Sequence, residues 1–235
     1  MVPVVAPTAP PPASEVPSGA EKFTYDIEWR LIHAGTAVVE VRERQASMKL
    51  ESAGLVSTLY KIDDTYNANF DQPFCVTSTG MEAKEGKRHH QTDVTYDRAQ
   101  LRATRTERDL IANKVLHSDS VEIPGCVHEI VGAIAMLRRT NLNVGQSTQI
   151  PLSDGRKSAL VKVEAQERED VRTTIGNYHT IRYEANMLNG VVYSRKGRVF
   201  IWLTDDARKL PVQIRVRVAF PVGSVTLGLA REEYP

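Results

Sequence analysis

The chain has 235 residues, of which 41% are hydrophobic and 25% charged, the ordinary composition of a globular protein that folds around its own core. Thirty basic and 29 acidic side chains leave a net charge of +1, which removes the electrostatic motive for a nucleic-acid partner. No apolar run is long enough to cross a bilayer as a helix, so no transmembrane segment is expected.

Residues 1–20 hold half of the twelve prolines and a single charged side chain, Glu15. Proline removes the backbone donors that helices and ladders need, so this stretch reads as an extended, disordered tether. It lacks the basic start and apolar centre of a signal peptide. It resembles the mature start of an exported protein whose signal has been removed, and a flexible cytosolic N-terminus is the plainer alternative. Two cysteines, Cys75 and Cys126, have no zinc-type spacing. They read either as buried thiols or as one disulfide. The disulfide is the expectation here, because it agrees with export to an oxidising compartment and both cysteines sit at element ends.

Residues 21–235 then read as one β-rich domain. In Lys22–Trp29, Phe23, Tyr25, Ile27 and Trp29 alternate with polar residues, the period of a half-buried strand. Ala34-Gly35 interrupts, and Thr36–Arg44 resumes the alternation, giving an opening hairpin with a long loop. Met48–Ile62 begins as a strand and contains a helical turn or bulge near Gly54–Tyr60. Turns at Glu85-Gly86-Lys87, Tyr96–Ala99 and Pro124-Gly125 separate further strands, as do Asn143–Gly145 and Asp154-Gly155. Asn189-Gly190 is the strongest hairpin signal, because both residues tolerate positive φ. In Pro211–Phe220, Val212, Ile214, Val216 and Val218 face one way and Gln213, Arg215 and Arg217 the other. Short strands joined by turns predict a large antiparallel sheet, curved as a half-open barrel or meander.

One segment has helical period. Across Cys126–Arg139, Val127, Ile130, Val131, Ile134 and Leu137 form a stripe, with Glu129 in the first turn and Arg138 and Arg139 in the last. A lone apolar helix in a β chain must bury its stripe against a sheet, so helix 126–139 is expected to pack in the concavity or close one end.

Three stretches together resemble an exported bacterial family known as domain of unknown function 3108. They are Glu21–Trp29 followed by Ala34-Gly-Thr-Ala37 and Val39-Glu-Val41; Ile123–Ile130 leading to Leu137-Arg138; and Ile201–Ile214. The resemblance implies a β-rich periplasmic or envelope-associated domain. It brings no catalytic residues.

The motif search yields no catalytic site. Neighbouring residues of a strand point to opposite faces, so His89 and His90 cannot chelate one ion together, and no metal or cofactor is expected. Asp205-Asp206 and Asp63-Asp64 fit turn capping better than acid/base chemistry. Neither a nucleophile elbow nor a phosphate loop occurs. What remains is distributed: Phe200 and Trp202 lie opposite Val199, Ile201 and Leu203, so that strand is apolar on both sides. Either both faces are covered, or one lines a cavity of the kind that takes apolar ligands. The candidate cavity residues are Trp29, Ile134, Phe200 and Trp202. The expected function is non-enzymatic binding of a hydrophobic or lipid-like molecule, or of an envelope partner. The alternative is a hydrolase of an envelope polymer acting through turn carboxylates such as Asp205.

Overall fold

The computed structural model describes residues 19–71, 74–187, 197–218 and 223–234, the side chains of 186, 187 and 218 excepted. Residues 1–18 of the expected tether, the Asn189-Gly190 turn and the strand expected at Val191–Ser194 lie outside the described residues.

The first eight strands form a meander: β1 (Glu21–Trp29), β2 (Ile32–Val41), β3 (Gln45–Ser52), β4 (Ile62–Asp71), β5 (Cys75–Glu85), β6 (Arg88–Asp97), β7 (Arg102–Asp109) and β8 (Lys114–Glu122). A short helix, α1 (Gly54–Leu59), fills the β3–β4 connection. After the main helix α2 (Ile130–Arg139), a second meander runs through β9 (Ser147–Ser153), β10 (Ser158–Thr173), β11 (Gly176–Met187), β12 (Gly197–Thr204), β13 (Pro211–Val218) and β14 (Gly223–Glu233). Antiparallel pairing of β1 with β14 joins the two into one 14-stranded sheet, with β8 and β9 at its edges. The terminal strands therefore meet in the middle of the sheet, and it does not close on itself. This is the half-open, mainly antiparallel architecture that the alternation predicts.

Two details of the opening hairpin differ from the sequence reading. The chain turns at Arg30-Leu31, both with positive φ, and not at Ala34-Gly35. A two-residue turn of this hand matches strand twist and usually carries Asn or Gly, so Arg-Leu gives no sequence signal. Gly35 lies inside β2, where a Cβ would come 2.1 Å from the Glu51 carbonyl oxygen. It serves close approach of β3 and is not a turn residue.

The helix sits in the concavity and splits the core. On one flank Ala133 and Leu137 pack with Ile150, Val161, Val163, Ile181 and Val199 of the second meander. On the other, Val127, Val131 and Ala135 pack with Ala68, Phe70, Val76 and Val94 of the first. The apolar stripe is wide because it serves two walls. Residues 126–129, expected to be helical, instead approach the helix in extended form. The Val76 amide donates to the Val127 carbonyl (2.9 Å), the His128 amide to Pro151 (2.9 Å), and the Ser153 amide to His128 (3.0 Å). This strap ties β5 to the edge strand β9. The Cys75–Cys126 disulfide, with Cα atoms 5.2 Å apart, fixes its start.

Candidate ligand cavity

Both ends of α2 are held by buried polar groups. At the N-terminus the Glu129 carboxylate accepts from the amides of Val131 (2.8 Å) and Gly132 (2.5 Å), satisfying donors that a helix start leaves open. The Tyr66 hydroxyl donates to the same carboxylate at 3.0 Å. Burial raises the Glu129 pKa, and those donors hold it down against that rise. The neighbouring His128 donates through Nδ1 to the Phe74 carbonyl (2.7 Å), and burial lowers its pKa. At the C-terminus Arg138, 3% exposed, makes a bidentate pair with buried Glu21 at 2.6 and 2.8 Å. It also donates to the carbonyls of Lys209 (2.9 Å) and Arg208 (3.1 Å). Lys209 in turn donates through Nζ to the Thr140 carbonyl (2.6 Å). Helix end, first strand and β12–β13 turn are thus one knot, with the charge of Arg138 answered inside it.

Between these anchors the helix and the sheet do not interdigitate fully. A cavity of about 210 Å³ lies between Ile130, Ile134 and Ala135 of α2 and a wall from both meanders. The wall includes Phe23 and Tyr25 of β1, Val39 and Val41 of β2, Met48 of β3, Val199 of β12, Ile214 and Val216 of β13, and Leu227 of β14. Phe23, Tyr25, Val131 and Val199 are buried, whereas Val39, Val41, Met48, Ile130, Ile134, Ile214, Val216 and Leu227 are partly exposed. Among the described residues Arg138 is the one charged side chain in the lining, and its donors face Glu21 and carbonyls. The Tyr25 hydroxyl donates to the Pro211 carbonyl at 2.9 Å, and burial raises its pKa. No carboxylate lines the cavity among the described residues. Such an apolar chamber can solvate hydrocarbon.

Of the four residues proposed from sequence, Ile134 lines this cavity; Trp29, Phe200 and Trp202 are not in its lining. Phe200 and Trp202 lie on the outer face of β12, 8% and 4% exposed, under a layer of arginines. The guanidinium of Arg215 lies 5.3 Å from the Trp202 ring, and that of Arg217 lies 5.4 Å from Phe200. The Trp202 indole donates to Glu169 at 2.7 Å. Trp29 is half-buried at the end of β1, paired with Ile32 and Val225. The inner lining of Phe23, Tyr25, Ile214, Val216 and Leu227 was readable as strand alternation, but alternation does not say where a gap opens. Arg138 had a signal too: it falls seven positions after Val131, on the apolar stripe itself.

Asp205-Asp206 and the two histidines His89 and His90 take the roles expected of turns and surfaces, whereas Asp63 and Asp64 lie inside β4, paired with β3 and β5, and not in a turn. Asp206 accepts from the amides of Arg208 (3.0 Å) and Lys209 (3.1 Å) and from the Thr204 hydroxyl (2.7 Å). Asp205 pairs with Arg168 at 2.6 Å. His89 reaches Glu82 (2.7 Å) and His90 reaches Glu107 (3.1 Å), on opposite faces of β6. Asp64, 4% exposed, accepts from the Lys84 amide at 2.9 Å. Burial, with Glu85 and Asp63 nearby, pushes its pKa up to about 6. No group of three or more metal-ligating side chains occurs among the described residues, and no helix among them is long and apolar enough to cross a membrane.

Comparison with known proteins agrees with this architecture. The crystal structure of a beta-barrel-like protein of domain of unknown function DUF1849 from Brucella abortus superposes with a TM-score of 0.60. The match covers 94% of this chain and 99% of that one at 10% identity, a likeness of fold. No curated protein matches the chain. The family model for proteins of unknown function DUF3108 matches residues 24–230, nearly all of the sheet and helix just described, and the chain belongs to that family.

Proposed function

We propose that this protein is a non-enzymatic binder of a hydrophobic, lipid-like molecule, held between α2 and the concave face of the sheet. The observation that carries this reading is the half-open cavity of about 210 Å³ lined by Phe23, Val39, Ile134, Ile214, Val216 and Leu227. An apolar cavity of about 150 Å³ stays dry and takes up benzene, so this one has room for an aromatic ring or a short run of methylenes. With Arg138 answered by Glu21, the buried part of the ligand would be uncharged, because no unpaired partner awaits a charge there. The Cys75–Cys126 bridge supports placing the protein in an oxidising compartment, the periplasm or cell envelope. The carboxylates of the hydrolase alternative are engaged with Arg168 and turn amides, which favours binding over catalysis.

Native mass spectrometry of the purified protein, before and after organic extraction, tests the reading. A bound apolar species lost on extraction and regained from an added lipid mixture is the expected result. Protein that carries nothing and takes up nothing would overturn it.

A further inference from the structure

The outer face of β12–β14 carries a second feature that stands independently of the cavity. Pairing places Arg215 opposite Thr226 and Arg217 opposite Ser224, and β1 adds Glu28 beside Thr226. With Arg30 from the β1–β2 turn, these side chains line an open depression of about 400 Å³. Three arginines face one carboxylate there, although the whole chain is nearly neutral.

The arginines are arranged, not merely crowded. Arg215 lies over Trp202 (5.3 Å) and Arg217 over Phe200 (5.4 Å), and both rings are buried beneath them. A guanidinium resting on a ring keeps its N–H donors at its own edge, which is the edge that receives an oxyanion. Arg215 spends its Nε–H on the Thr226 hydroxyl (3.1 Å), leaving its Nη donors. Arg217 is exposed, and neither residue is in an ion pair with a described carboxylate. Elsewhere on this face arginines are paired, Arg182 with Glu167 (2.7 Å) and Arg198 with Glu184 (3.5 Å). Two pre-oriented arginines without an acidic partner, beside two hydroxyls, are the donor set of a phosphate site.

We propose that this depression binds a tetrahedral oxyanion, phosphate or a phosphate ester, through Arg215 and Arg217 with Ser224 and Thr226 in support. The test is titration of the full chain with inorganic phosphate at constant ionic strength, followed through the arginine Nε–H resonances. Saturable shifts are expected, weakened about tenfold or more in Arg215→Gln/Arg217→Gln. They should survive in Arg168→Gln/Lys162→Gln, which removes the same charge elsewhere. Flotation with phosphatidylglycerol and with phosphatidylcholine vesicles separates the sources. Binding of anionic vesicles that is lost in the Arg215/Arg217 variant assigns a lipid headgroup, and phosphate binding without flotation assigns a soluble ester or free phosphate. Loss of binding in both double variants alike, or no saturable response to phosphate or to anionic vesicles, overturns the proposal.

Discussion

The two faces of β12–β14 are built from alternate residues of the same strands, and they solve burial differently. Inward, Val199, Ile214, Val216 and Leu227 meet a helix that does not fill the space above them, and a cavity results. Outward, Phe200 and Trp202 are also buried, in a cluster with Val171, Leu210 and Val212, and arginine guanidiniums lie across their rings. Depth of burial is therefore a poor guide to where a ligand fits. The useful distinction is the covering element: flexible charged side chains settle onto a ring, whereas a rigid helix anchored at both ends cannot settle.

That contrast predicts unequal costs of removing an arginine from each face. Arg138→Met should cost about 3–5 kcal/mol, because it leaves Glu21 buried without a partner. Urea unfolding measures this, and a loss below about 1 kcal/mol would show that the anchor at the helix end is loose. The double variant Glu21→Met/Arg138→Met should recover most of the loss. Next in size is the disulfide, which spans a sequence separation of 51. Cys75→Ser/Cys126→Ser should lower stability by about 2–4 kcal/mol in the chain-entropy account.

Asp64 gives a smaller effect with a defined sign. Its native pKa of about 6 lies above the ordinary 3.8, so the folded state holds the extra proton between those values. Stability should fall as pH rises from about 4 to about 6. Asp64→Asn keeps an acceptor for the Lys84 amide and should add about 1–3 kcal/mol at pH 7.5, with little change near pH 4. An equal gain at both values would remove the titration account. Smallest of all, Arg215→Gln on the outer face should shift stability by less than about 1 kcal/mol. A larger loss would mean that the arginine layer is as structural as the inner anchor.

Much of this was legible in the residues. Period-two runs such as Val212–Val218 mark strands wherever one side is buried, and the stripe from Val127 to Leu137 marks the helix. The apolar spacing places the start of α2 four residues early because Val127 continues it, although the Val127 carbonyl is committed to Val76. The hairpin turn was hidden because Arg30 and Leu31 are not turn formers by type. The site was harder for a deeper reason. Alternation says which side chains share a face, but on β12 both faces are apolar, and the sequence does not say which is covered by a helix and which by arginines. The close packing of the Asp154-Gly155 turn on Val94, where a Cβ would come 2.6 Å from the valine methyl, depends likewise on distant segments meeting.

The central claim is that the gap between α2 and the sheet is a binding chamber for an apolar molecule. Titration of extracted protein with the fluorescent hydrophobe N-phenyl-1-naphthylamine tests it most directly, comparing wild type with Ile134→Trp, which fills the chamber from the helix side. Saturable fluorescence enhancement is predicted for wild type and for Arg215→Gln, with a loss of about tenfold or more in affinity for Ile134→Trp provided its unfolding remains cooperative. Equal binding by Ile134→Trp and wild type would contradict the claim.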